Sequence, residues 1–129
     1  MLDLGYVITI HDEILAKYGG LSGFASGGRG GVEAAIQRVE NHVFYAGLND
    51  VFGIAAAYAV AIARGHVFND GNKRTGLACT LTYLEMEGII IEELSDLEEV
   101  MVDVANGTVD QGELAEYLGT IWLRSQPST

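Results

Sequence analysis

Cysteine occurs once, at Cys79, in a chain of 129 residues. A single thiol excludes an intrachain disulfide framework and any multi-cysteine zinc site. Its place within a helical apolar pattern predicts a buried structural residue. Cationic side chains are also scarce, with 7 Lys and Arg against 18 Asp and Glu and a net charge of −11. Such a surface cannot hold DNA or an anionic membrane broadly, because neutralising phosphates needs clustered Lys and Arg. No direct DNA binding is therefore expected. Long apolar runs are missing as well: the longest uncharged stretch, VFGIAAAYAVAIA at 51–63, has thirteen residues. A membrane-spanning helix needs about 20, so this segment predicts a buried core helix. The N-terminal MLDLGYVITIHDE has no basic region leading into an apolar run and a small-residue cleavage site. A cytoplasmic location without membrane contact is the expectation.

What is present is a globular composition, 49% hydrophobic and 19% charged, of a length that suits one domain. Helical spacing dominates. Ile10, Ile14 and Tyr18 trace one face, as do Val32, Ile36 and Val39. Leu97, Val100, Met101 and Val104 make a third, and Leu114, Leu118, Ile121 and Trp122 a fourth. Capping-box-like pairs at Thr9 and Asp12, Ser95 and Glu98, and Asp110 and Glu113 predict helix starts; Gly19, Gly88 and Gly107 predict stops. Two central helices are expected, one over 50–64 and one over 72–87, the latter with Leu77, Leu81 and Leu84 as its stripe. GGLSGFASGGRGG at 19–31 predicts a flexible surface loop, and its GGRGG end, with no strand before it, is expected to have no catalytic role. Only NHVFY and GIIIEE offer strand-like residues. No repeat or sustained heptad is visible. The expectation is an all-α single domain over 1–124, with 125–129 a flexible C-terminal tail.

Against the acidic background, Arg64, Lys73 and Arg74 fall within eleven positions around HVFNDGNKRTG at 66–76. If helices flank it, the stretch is a tight loop feeding a helix that starts near Gly71 or Asn72. Amides at that start lack intrahelical acceptors, and the helix dipole turns its positive end there. Together they make an anion site that Gly71 leaves open to close approach and that Lys73 and Arg74 charge. Asp70 is the loop's sole carboxylate, and a phosphate-bound Mg²⁺ commonly takes few protein carboxylates. His66 has a side chain suited to accepting a hydroxyl proton near neutral pH. Phe68 is expected to be an inward plug. The spacing rules out a Walker A loop, because five residues separate Gly65 from Gly71 and Asn72 precedes the lysine.

HVFNDGNKRT resembles, at every specified position, the signature H-x-F-x-D-G/A-N-K-R-T of the Fic/Doc family, in its Doc (death-on-curing) toxin branch. IHDEILAKYGG at 10–20 and DVFGIAAAYAVAIARGH at 50–66 are also similar to their counterparts there. The resemblance implies a helical bundle of about six helices, with ATP and Mg²⁺ as cofactors. It implies His66 as base, Asp70 as metal ligand, and Gly71, Asn72, Lys73 and Arg74 as nucleotide-phosphate contacts, with Lys73 and Arg74 also aiding catalysis. Adenylylating members resemble H-P-F-x-D/E-G-N-G-R-x-x-R. Here Lys73 stands at their second glycine and Leu77 at their last arginine. The lysine's bulk and the missing guanidinium fork disfavour their nucleotide orientation. The Doc branch implies instead a protein Ser/Thr kinase that passes the γ-phosphate to a translation elongation factor of the elongation factor Tu type, inhibiting translation, with a Phd-like antitoxin as restraining partner. The alternatives are a Fic-type adenylyltransferase and a catalytically inactive binding module of the same fold.

Other features have plainer readings. His11 and His42 are expected to be hydrogen-bonded structural residues. NHVFYAGLND at 41–50 suits either a flap on which a target docks by β-augmentation or a loop covering the core. Asp70 alone would be an ordinary helix cap, and the basic pair an ordinary solvated surface. It is their combination that points to chemistry.

Overall fold

The computed structural model describes residues 1–92 and 96–127. Six helices pack as a single compact domain: α1 (Leu4–Tyr18), α2 (Gly28–Tyr45), α3 (Val51–Ala59), α4 (Asn72–Met86), α5 (Leu97–Asn106) and α6 (Gln111–Ser125). The all-α expectation holds, and no strand is formed among the described residues. One isolated antiparallel bridge joins Phe24 to Phe68.

α3 is the hub. Its residues Gly53 to Ala59 are all buried, as an apolar segment without a polar stripe requires. Asp50 caps it, its carboxylate accepting from the amides of Phe52 and Gly53. α4 lies against it closely enough that a Cβ added at Gly76 would come within 3.4 Å of the Ala59 carbonyl oxygen. Thr80 ties the pair by donating its hydroxyl to the Ala55 carbonyl at 3.0 Å. This tight contact selects small side chains, so the buried face of α4 carries Thr75, Gly76, Cys79, Thr80, Tyr83 and Leu84. The expected stripe is therefore corrected: Leu84 is in the core, whereas Leu77 and Leu81 stay half-buried and line an outer groove.

Several boundaries also differ from the sequence reading. α1 starts at Leu4 under an Asp3 cap, whose carboxylate accepts from the Tyr6 amide at 2.8 Å. Thr9 lies inside that helix and bonds back to the Gly5 carbonyl, so it is no cap. Asp110 and Glu113 do form a reciprocal capping box, at 2.8 and 3.1 Å. The Ser95 half of the third pair lies outside the described residues. Gly19 and Gly107 follow α1 and α5 directly, while Gly88 falls one residue past the Glu87 cap of α4. Residues 41–45, read as a flap or cover, are the last turn of α2, because Val32, Ala35, Ile36 and Val39 anchor that helix to the core. Arg124 and Ser125 belong to α6.

Candidate active site

α3 passes directly into a single π turn over Val60–Arg64, closed by the Gly65 amide on the Val60 carbonyl at 3.2 Å. Such turns are rare and concentrate at functional sites. A Cβ on Gly65 would collide with the Ala61 carbonyl oxygen, so only glycine fits the exit. The next residue, His66, has φ +51°, and among the described residues it is the only non-glycine one with a positive φ. A left-handed conformation costs an L-residue about 1–2 kcal/mol, and such strain clusters where geometry serves function. His66 is exposed, so no burial of its ring compensates.

The loop that follows is held from within. Phe68 is 1% exposed and stacks on His11, with ring centroids 3.7 Å apart and planes 6° apart. Asn72, also buried, accepts from the Phe68 amide and donates to the Phe68 carbonyl, both at 2.9 Å. Its amide nitrogen lies 3.4 Å from His66 Nδ1. That contact is long for a hydrogen bond and does not fix the imidazole tautomer. The Asn72 side chain is thus committed to the loop, which leaves its backbone amide at the start of α4.

Gly71 has φ +75° and caps α4, placing the free amides of the first turn at the surface. Asp70 is exposed beside them. Its Oδ1 accepts from the Gly71 amide at 3.0 Å and its Oδ2 from the Leu21 amide at 3.1 Å. Those two donors, the Leu21 amide first, then the charge of Lys73, hold its carboxyl below the usual carboxylate range. Arg74 is exposed, with its guanidinium 4.2 Å over the Tyr18 ring. Asp70 to Arg74, with Leu77, Met101 and Glu98, line a recess of about 270 Å³. His66 lines a second one, of about 240 Å³, with Ala25, Gly27 and Arg38. The structure thus brings Asp70, Gly71, Asn72, Lys73 and Arg74 to one recess and sets His66 on the other flank of the same short loop.

One side of this loop is held by a segment expected from the sequence to be a flexible surface loop. The Asn69 amide donates to the Gly23 carbonyl and the Ala25 amide to the Val67 carbonyl, both at 3.0 Å. The Asn69 side chain adds a bond to the Ser22 carbonyl. Residues 20–25 are therefore docked on the loop, and residues 28–31 are the first turn of α2. Gly20 and Gly23 have φ of +123° and +99°, and a Cβ on Gly20 would fall 2.8 Å from Asp70 Oδ2. Those glycines were the available signal: a run with no period can mark close backbone approach as well as flexibility. Glu98, brought to the recess by α5, and His11 had no signal tying them to the motif. His42 is exposed and has no structural bond through its ring among the described residues.

The loop carboxylate Asp70, beside cations and helix-start amides and with Glu98 as the second carboxylate lining the recess, fits a divalent ion held mainly through phosphate oxygens. Among the described residues no group of three or more His, Cys, Asp or Glu could hold a metal unaided.

The Fic/DOC family model matches residues 1–84, a span that ends inside α4 and leaves out α5 and α6. The chain belongs to the Fic/DOC family. Over 116 residues it is 38% identical to protein kinase doc of Escherichia phage P1, covering 90% of each chain. The family match thus includes the whole loop from His66 to Thr75. No described helix of this family member is long and apolar enough to cross a membrane.

Proposed function

We propose that this protein is a Doc-like toxin that acts as an ATP-dependent protein kinase, passing the γ-phosphate to a Ser or Thr hydroxyl of a translation elongation factor of the elongation factor Tu type. The observation that carries this reading is the pairing of Asp70 with the cationic start of α4, in one recess, on the far side of a loop that begins with a strained His66. Lys73, at the position where adenylylating relatives have glycine, and the 38% identity to a protein named as a kinase favour phosphoryl over nucleotidyl transfer.

On this reading the α4 amides of Asn72 to Arg74 and the charges of Lys73 and Arg74 take the phosphates. Tyr18 keeps the Arg74 guanidinium in place from α1. Mg²⁺, held by Asp70, would neutralise phosphate charge as it spreads in the transition state. His66 takes the proton of the acceptor hydroxyl on the unprotonated nitrogen of its imidazole, while that oxygen bonds to the γ-phosphorus and the bond to the ADP oxygen breaks. The loop, with both faces pinned, keeps base and phosphates in fixed relation. The role of target-docking edge passes from 41–50 to 22–25. The Phe24 bridge uses the inward groups of Gly23 and Ala25, so Phe24 turns its own amide and carbonyl outward, to an added strand.

The groove lined by Ile14, Tyr18, Leu77 and Leu81 shares Arg74 with the phosphate recess. An antitoxin segment of the Phd type lying there would cover both, which restrains the toxin.

The test uses ATP labelled at the α or the γ position, incubated with bacterial extract and with purified elongation factor Tu. Label from the γ position should reach the factor, and the His66→Ala chain should transfer none. Label from the α position on protein would replace this reading with adenylylation. Equal growth inhibition by wild type and His66→Ala would replace it with a binding module.

A further inference from the structure

His11 is on α1, far from the motif in sequence, yet it is 3% exposed and directed at the motif loop. Its Nε2 lies 2.8 Å from the Asp70 carbonyl oxygen. A carbonyl only accepts, so Nε2 carries the proton and donates. The donor is present whether the ring is neutral or protonated, and Nδ1 faces Asp12, itself largely exposed, at 4.0 Å. The same ring stacks on Phe68 and packs at Gly71, where an added Cβ would lie 3.7 Å from its Nε2. Directly after α1, the Leu21 amide reaches Asp70 Oδ2. Helix α1 and its exit therefore grip Asp70 at both ends, the ring on its carbonyl and the backbone on its carboxylate.

We propose that His11 is a positioning residue for the divalent cation: by fixing the Asp70 peptide it fixes where the carboxylate presents its oxygens. This rests on Asp70 being the cation anchor of the proposed kinase. Groups that orient a metal ligand commonly change metal affinity about 10–100-fold when removed. A residue that only filled the core would change stability and leave the cation untouched.

Two substitutions separate the donor from the ring. His11→Phe keeps an aromatic ring against Phe68 and removes the N–H; His11→Gln restores an N–H at similar reach. Calorimetric titration of each full-length chain with Mg-ATP, and with ATP in a metal chelator, should show His11→Phe binding Mg-ATP about tenfold more weakly with metal-free ATP unchanged. His11→Gln should recover most of the loss. His11→Asn, whose amide is too short to reach the carbonyl, should behave as His11→Phe does and stands in for it if the apolar substitution fails to fold. Leu118→Val, in the core of α6, gives the response of destabilisation alone and should bind Mg-ATP as wild type does. Equal losses for Mg-ATP and metal-free ATP, or wild-type Mg-ATP affinity in both His11→Phe and His11→Asn, would overturn the proposal while Asp70→Asn still lost the cation. Wild-type Mg-ATP affinity in Asp70→Asn would overturn the anchor assignment itself, and this proposal with it.

Discussion

Two substitutions of His66 should part catalysis from backbone strain. Both His66→Gly and His66→Ala remove the imidazole, so both should lose phosphoryl transfer. Their stabilities should differ. Residue 66 sits at φ +51°, a conformation that an L-alanine adopts at a cost of about 1–2 kcal/mol and glycine adopts freely. Glycine's greater freedom in the unfolded chain returns about 0.5–1 kcal/mol of that. The ring itself contributes little to the balance, since it is exposed and its contact with Asn72 is long. The glycine variant should therefore be more stable than the alanine variant by about 0.5–1 kcal/mol, which for a domain of this size is a higher Tm by about 2–5 °C. Thermal unfolding followed by circular dichroism, with labelled-ATP transfer measured on the same preparations, reads both quantities. An alanine variant as stable as the glycine variant would refute the strained backbone at the exit of the π turn. Transfer retained in both would refute the assignment of His66 as base.

Three further outcomes follow from the geometry. The folded-state Asp70 carboxyl is held below its ordinary value, so its stabilising share is present above the unfolded value and is lost as pH falls through the folded one. Asp70→Asn should accordingly flatten the loss of stability on acidification below about pH 4, as read from urea midpoints across pH, and a parallel pH profile would contradict the Leu21 and Gly71 bonds. Gly20→Ala should weaken Mg-ATP binding and lower Tm together, because its Cβ would press on Asp70 Oδ2 from a backbone at φ +123°; unchanged binding by calorimetry would show that 20–25 is not docked on the loop. Burial pushes the Cys79 thiol up to about 12, so a disulfide reagent at pH 8 should react only after denaturant is added, and rapid reaction with the folded chain would place the thiol at the surface.

The sequence by itself determined the helical character and the chemistry-bearing loop. Apolar spacing marked four amphipathic faces, the Asp110 and Glu113 pair marked a helix start, and the 66–76 stretch announced itself by concentrating cations in an acidic chain. These are local signals: a period, a cap and a composition break are each written within a few residues. Tertiary structure alone decided what touches that loop. Nothing within α1 announces that His11 will donate to the Asp70 carbonyl, and no property of a glycine run says that its amide will meet the Asp70 carboxylate. The outward turn of Leu77 and Leu81 was likewise set by how closely α4 approaches the alanines of α3, a distance between helices that no single segment encodes. Contacts between segments far apart in the chain depend on packing geometry, which emerges only when all the apolar faces are buried together.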